Sequence, residues 1–443
     1  MTKLNATNDV TVVVGLGKTG LACLRHLHAQ GRPVAVTDSR AEPPGLAAAR
    51  ELLPDSAIAV GGFDAERLAR AAEIVISPGV SPEEPALAAA AAAGVPVLSE
   101  IELFARVARA PVIAITGSNG KSTVTTLVGA MAERAGVDAA IGGNLGTPAL
   151  ELLRTPEPAL YVLELSSFQL EHTETLRAVA AVVLNISPDH MDRYTDLNAY
   201  ATAKARIYRH AETSVINADD PAVSAMRDGV PFSVETAPLQ GWGLLARQGR
   251  TYLARHGEPL LATSELRIAG RHNLANALAA LALAEAAGLP LAACLEALRD
   301  FQGLEHRTQW VAEANGVRWY DDSKGTNVGA TLAAVAGLPG RLVLIAGGEG
   351  KDQDFAPLRD ALRDKARAVV LIGRDASLIE AALQGVVPVH HAADMDEAVR
   401  LAGTLAQAGE SVLLSPACAS FDMFSGYEER GRVFQQAARR WAS

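Results

Sequence analysis

An eight-residue run, Thr116-Gly117-Ser118-Asn119-Gly120-Lys121-Ser122-Thr123, follows an apolar stretch and precedes a long helical one. That context suits a phosphate loop. Glycines let backbone N–H groups turn onto phosphate oxygens, and the helix N-terminus adds its dipole. Lys121 brings a point charge for the β- and γ-phosphates, and a hydroxyl from Ser122 or Thr123 can hold Mg²⁺. The general pattern places a glycine where this chain has Ile115, so the loop is a shortened variant.

A second glycine turn, Gly15-Leu16-Gly17-Lys18-Thr19-Gly20, also sits between a strand and a helix, and Asp38 ends the next strand. This geometry admits a dinucleotide, but any nucleotide diphosphate, including a UDP-sugar, satisfies it equally. Ser77-Pro78-Gly79 closes another strand at the edge where such sheets bind ligands. Glu164 ends a strand downstream of the phosphate loop and is placed for a Mg²⁺ contact. Residues 185–194 pack polar groups, His190 among them, after an apolar strand; a lone histidine is more often structural. Lys204 reads as part of a solvated basic helix face shared with Arg206. In Asn273-Leu274-Ala275-Asn276 the first amide is placed to cap a helix, and both amides to read a purine edge. Three polar turns then end three strands: 321–327, 347–351 and 415–422. Together they make one rim of a site.

The elements that must carry these turns alternate between strand and helix, which argues for doubly wound parallel sheets. Strands are expected at 10–14, 33–37, 73–77 and 95–98. After a restart near Ser99 they are expected at Val112–Thr116, 160–163 and 181–185. After a second restart past Gly303 they are expected at 317–320, 342–346, 368–372 and Ser411–Leu414. The fold class is therefore α/β in three domains: a Rossmann-like domain at 1–99, a P-loop ATPase-type domain at 100–304 and a Rossmann-like domain at 305–443.

Bulk properties exclude several function classes. The 443 residues are 49% hydrophobic and 20% charged, ordinary for a folded chain of more than one domain. A formal net charge of −10 without a basic stripe argues against nucleic acid. Cys23, Cys294 and Cys418 form neither a metal-spaced pair nor a disulfide framework and read as buried thiols of a reducing compartment. The N-terminus shows no signal-peptide pattern and no apolar run long enough to span a bilayer, so a cytoplasmic protein is expected.

The set of motifs, in this order, resembles the Mur ligase and folylpolyglutamate synthetase superfamily over essentially the whole chain. Residues 414–420, with Arg430-Gly431 after them, resemble the branch that adds D-glutamate. The resemblance implies an ATP-dependent ligase that phosphorylates the carboxylate of UDP-N-acetylmuramoyl-L-alanine and lets the amine of D-glutamate displace phosphate. It implies ATP and Mg²⁺ as cofactors, these two small-molecule substrates, and a monomer. It assigns Lys121, Glu164, His190 and Lys204 to catalysis. Ser122, Glu164, His190 and Lys204, the last as a carbamate, would be the metal ligands. ATP would lie on residues Gly117, Ser118, Asn119, Gly120, Lys121, Ser122 and Thr123, with Asn276, Arg307, Asp322 and Lys324. UDP would lie among Lys18, Thr19, Asp38, Arg40, Ser77 and Gly79, with Asn144 and His190 toward the muramoyl end. D-Glutamate would meet Thr326, Lys351, Ser420, Phe421 and Tyr427. The chain departs from the family in having Tyr427 where Phe is common and Phe421 where Leu is common. An NAD-dependent dehydrogenase would use only 15–20 and Asp38. Another amide ligase of the superfamily, or a non-catalytic nucleotide binder, are the remaining alternatives.

Overall fold

A computed structural model describes residues 9–442 except Pro238 and Ala269. Its strands form three sheets. The first has five parallel strands in the spatial order Ile58–Val60, Val34–Asp38, Thr11–Val14, Glu73–Ile76, Val97–Leu98. Such sheets are covered on both faces, which is why Val12, Val13 and Val14 are all fully buried. Strand order reverses beside Thr11–Val14, and that switch point opens a crevice at the C-terminal ends. Turns 15–20 and 77–79 meet there, where the Ser77 hydroxyl donates to the Gly15 carbonyl at 3.1 Å. Only glycine fits at position 20: a Cβ would lie 1.7 Å from the Gly15 oxygen.

The second sheet has nine strands, and its centre sets the chemistry. Val112–Thr116, which feeds the glycine loop, lies between Leu160–Glu164 and Ala180–Val183, all parallel. Glu164 and the 185–194 segment therefore emerge on either side of the loop. The helix after the loop, Lys121–Arg134, packs against Arg271–Ala286 and Leu291–Asp300. In Arg271–Ala286, residues Ala279, Ala280, Ala282 and Ala284 are buried. Small side chains let helix axes approach closely, which brings Asn276 of the same helix onto the loop. The expectation of a purely parallel sheet fails at one edge: Trp242–Arg247, Arg250–Arg255 and Glu258–Ala262 are joined antiparallel. The two hairpin loops, Gln248-Gly249 and His256-Gly257, have positive φ at all four residues (51°, 72°, 52°, 80°). That is the type I′ geometry whose twist matches the strands it joins.

The third sheet has six strands in the order Gln309–Ala314, Val317–Asp321, Ser411–Leu414, Leu342–Gly347, Ala366–Ile372, Val389–His391. Only the first pair is antiparallel. The three adjacent strands in the middle carry the three polar turns at their C-terminal ends. Cys23, Cys294 and Cys418 are free and buried. Among the described residues no helix is long and apolar enough to cross a membrane.

Candidate active site

The glycine loop holds two amines against one carbonyl. Lys121 Nζ donates to the carbonyls of Gly117 and Ser118 at 2.7 and 2.9 Å. Lys204 Nζ donates to the same Gly117 oxygen at 3.0 Å. Lys204 is 1% exposed, so its reading as a solvated basic face is overturned, while Arg206 turns away to pair with Glu174. Burial, reinforced by the Lys121 charge, holds the Lys204 amine well below its ordinary range. The reason lies in Tyr200 and Lys204 sharing one helix, Leu197–Ala205, whose buried side faces the loop; the Lys204 ammonium lies 4.6 Å from the Tyr200 ring centroid.

Glu164 stands opposite. Its Oε1 accepts from Asn144 Nδ2 at 2.8 Å, and its Oε2 is buried without a hydrogen-bond partner. An unpaired carboxylate oxygen in a buried position is costly unless a cation or donor meets it. His190 adopts φ 57°, and burial holds its imidazole below the ordinary value of 6.5, in the neutral form a metal ligand needs. Among the described residues no three His, Cys, Asp or Glu side chains cluster as a metal cage.

The second and third sheets meet over a cavity of about 310 Å³. Asn276, Asn273 and Asn217 line one side of it, and Asp322, Lys324 and Thr308 the other. Gly120, at φ 86°, lets the loop pass against Asn276: a Cβ there would sit 2.5 Å from Asn276 Oδ1. Asn273 does not cap its helix, which starts at Arg271 with Gly270 before it; the amide is buried in the cavity wall instead. Arg307 crosses the cleft, its guanidinium donating to Ser122 Oγ at 2.8 Å. Asp322 accepts from Thr308 N–H at 3.0 Å and from the Ser415 hydroxyl at 2.7 Å, and burial pushes its carboxyl up to about 7.

Lys324 Nζ lies 3.9 Å from the Tyr427 ring centroid. Burial, then the charges of Arg307 and Lys121, lower the Lys324 amine to about 8. The cation is therefore present below about 8 and lost above it. The kcat/KM for a nucleoside triphosphate, which reports the free enzyme, is expected to fall as pH rises through that value. Lys324→Arg, whose guanidinium stays charged, should flatten the profile; an unchanged profile in this variant would show that another group titrates.

In the first sheet, Asp38 is 2% exposed and fully engaged. Leu16 N–H and the Arg40 backbone and guanidinium all donate to it, at 2.7 to 2.9 Å. Burial alone would raise its carboxyl, but these donors hold it at about 2. Asp38 thus shapes the 15–20 turn. Lys18 Nζ reaches across to the Gly146 carbonyl at 2.5 Å, so the 142–146 segment links this turn to Asn144 and Glu164. Thr19 and Gly79 border the same crevice.

Three family profiles match this chain: a Mur ligase MurD-like N-terminal domain over residues 9–99, a Mur ligase middle domain over 115–284, and a Mur ligase glutamate ligase domain over 306–418. The chain belongs to the Mur ligase family. It is 59% identical to the UDP-N-acetylmuramoylalanine–D-glutamate ligase of Nitrosococcus oceani, over 97% of this chain and 96% of that one. It is 52% identical to the protein of the same name from Pseudomonas putida, over 98% of each. Among solved structures, the MurF ligase of Thermotoga maritima in complex with ADP shares the fold, with TM-score 0.60, 16% identity and coverage of 99% and 98%. The UDP-N-acetylmuramate–alanine ligase of the same organism does so with TM-score 0.59, 20% identity and coverage of 97% and 99%.

The Mur ligase fold places the remaining residues on the third-sheet rim. Lys351, at φ 51°, faces His190 closely enough to help lower that imidazole. Ser420 is buried, its carbonyl accepting from Met423 and Phe424 N–H, and Thr326 follows Gly325 in the turn beside Asp322. Phe421 is 71% exposed. Several groups that line the cleft went unassigned in the sequence. Asn185 and Asn217 follow or end apolar strands of the second sheet, so their strand-end position was the available signal. Arg430 lies behind the rim rather than in the cleft; it entered only through the resemblance, with no role attached, and proves to be buried.

Proposed function

We propose that this Mur ligase joins D-glutamate to UDP-N-acetylmuramoyl-L-alanine, cleaving ATP to ADP and phosphate, in the synthesis of peptidoglycan precursors. The observation that carries this reading is the 59% identity, along nearly the full chain, to a ligase named for that reaction. The site geometry supports its chemistry. A carboxylate is a poor electrophile, and its phosphorylation supplies a leaving group; the residues' work is positioning and charge neutralisation. Lys121, Arg307 and Lys324 bring positive charge to the cleft from both sheets. The cavity bounded by Asn276 and Asp322 suits an adenosine, and the switch-point crevice of the first sheet suits UDP. Thr326, Lys351 and Ser420 lie on the rim that would take the amino acid, with Tyr427 and the backbone at Phe421 beside them.

Glu164 Oε2, neutral His190 and Ser122 form a donor set that suits Mg²⁺. When bound, the cation neutralises phosphate charge. Lys204 as a carbamate would complete the set. Two amines on the Gly117 carbonyl cannot both hold a charge comfortably, and the more buried one is Lys204. Its neutral nitrogen can add to the carbon of CO₂ and lose a proton, and the anion formed would pair with Lys121. We also propose a cytoplasmic monomer with units 1–99, 100–304 and 305–443.

The deciding experiment measures phosphate release from ATP and Mg²⁺ with UDP-N-acetylmuramoyl-L-alanine and D-glutamate, separately and together. Release that needs both, and fails with L-glutamate, is expected. Release with a different amino acid would keep the family and move the substrate.

A further inference from the structure

We propose that Arg193 is a positioning residue that holds the nucleotide end of the long substrate in register with its reacting end. The inference rests on the proposed function and adds a residue to it. Arg193 makes three contacts through one guanidinium. Nη1 donates to the Pro78 carbonyl at 3.2 Å, in the turn of the first sheet that borders the nucleotide crevice. Nη2 pairs with Glu171 at 3.1 Å, and the planar face lies 3.9 Å from the Phe168 ring centroid. Phe168 and Glu171 belong to the short helix Ser167–Glu171, just past Glu164. The remaining Glu171 oxygen takes the Tyr194 hydroxyl.

The same residue also holds the reacting end. Arg193 and Tyr194 N–H both donate to the His190 carbonyl, at 3.0 and 3.1 Å. They close a turn in which His190 sits at φ 57°, a conformation that persists only where its surroundings over-determine it. The His190 ring packs edge-on to Phe168 at 4.9 Å. Arg193 is thus a strut between the 77–79 turn of one sheet and the His190 turn of the next. A substrate anchored by its uridine diphosphate in the first sheet must deliver a carboxylate to the second. A fixed distance between the sheets makes that delivery effectively intramolecular, and a misplacement of an ångström is costly.

The test compares two substrates bearing the same carboxylate: UDP-N-acetylmuramoyl-L-alanine and N-acetylmuramoyl-L-alanine without the nucleotide. In Arg193→Met the first is expected to lose about 30- to 100-fold in kcat/KM and the second less than about threefold, because only the first spans both sheets. KM for ATP and for D-glutamate should change by less than about twofold, since neither spans the strut. Uridine diphosphate binding alone, read by calorimetry, should also be unchanged. Equal losses on both substrates would overturn the inference, and so would a tenfold weaker affinity for uridine diphosphate, which would make Arg193 part of the nucleotide pocket. Arg193→Lys keeps the charge over Phe168 but reaches only one of the two acceptors. It should show the same selectivity with a smaller loss, and it serves if the methionine variant does not fold. Wild-type protein that turns over neither substrate would instead refute the proposed function.

Discussion

In Lys121→Met, ligation is expected to slow about 10²–10³-fold, the cost of removing one preorganised group that stabilises developing charge, while the protein melts no lower than the wild type. The two effects have opposite signs for one reason. Burial lowers the Lys121 amine from its ordinary range, and the Glu164 and Asp189 charges only partly oppose this. The folded state therefore holds this cation at a cost that phosphate binding would offset. Without phosphate its donors rest on the carbonyls of Gly117 and Ser118, one of them shared with Lys204. Methionine fills the same length, removes the repulsion and leaves the Gly117 oxygen its second donor, a gain set against the single donor lost by the Ser118 carbonyl. Steady-state phosphate release at saturating substrates and thermal melting of the free protein check both halves. A kcat within tenfold of wild type would remove Lys121 from phosphate stabilisation, and a much lower melting temperature would make it a structural residue.

How far the site was legible depended on whether a residue's role is local. The glycine loop, Glu164 and the three third-sheet turns each sit at the C-terminal end of a largely apolar strand, and a short buried run ending in a polar turn is a local signal. Lys204 is different. Its helix has little amphipathic contrast, and what buries it is the loop that ends Val112–Thr116, far away in the chain. Only the resemblance raised it above a solvated face. Asn273 failed the opposite way: the capping pattern was local and plausible, but Gly270 takes the cap position and the amide goes to the cavity. The cavity itself had no local signature, because it exists only where Asn276 of one unit meets Asp322 of another. The antiparallel edge left only a faint local mark: Gln248-Gly249 and His256-Gly257 supply the glycine that a two-residue turn takes, but neither is the Asn-Gly or Asp-Gly pair that signals a hairpin. The prevailing strand–helix alternation masked them.

The third-sheet rim, unlike the loop, depends on a residue that touches no substrate-facing group directly, and this leads to the largest expected loss of stability. Arg430→Met should destabilise the third unit by about 1–3 kcal/mol for each buried acceptor that it leaves without a donor. Arg430 is 1% exposed in the helix Tyr427–Ala442. Its Nε donates to the Ser323 hydroxyl at 3.0 Å and Nη2 to the Ser323 carbonyl at 2.7 Å. Its Nη1 donates to the carbonyls of Cys418 and Ala419, at 3.1 and 3.3 Å. Burial brings the guanidinium down to about 10, so it remains charged at neutral pH. Methionine would remove that desolvation cost, and where both partners of a buried pair are replaced such a change is often neutral. Here the acceptors stay behind in the turns: the buried Ser323 and Cys418 carbonyls lose the arginine's donors, while the Ala419 carbonyl keeps the Glu349 N–H at 3.0 Å, and the loss wins. Because those carbonyls lie in the turns that carry Thr326 and Ser420, KM for D-glutamate should rise as well. A three-unit chain need not unfold in one step, so the readout is hydrogen exchange in the strands Val317–Asp321 and Ser411–Leu414. Faster exchange there, with Val112–Thr116 unchanged, is expected in Arg430→Met and, to a smaller degree, in Arg430→Lys, whose single ammonium cannot reach all the acceptors. Unchanged exchange in the third sheet would mean that the helix holds the two turns by packing alone.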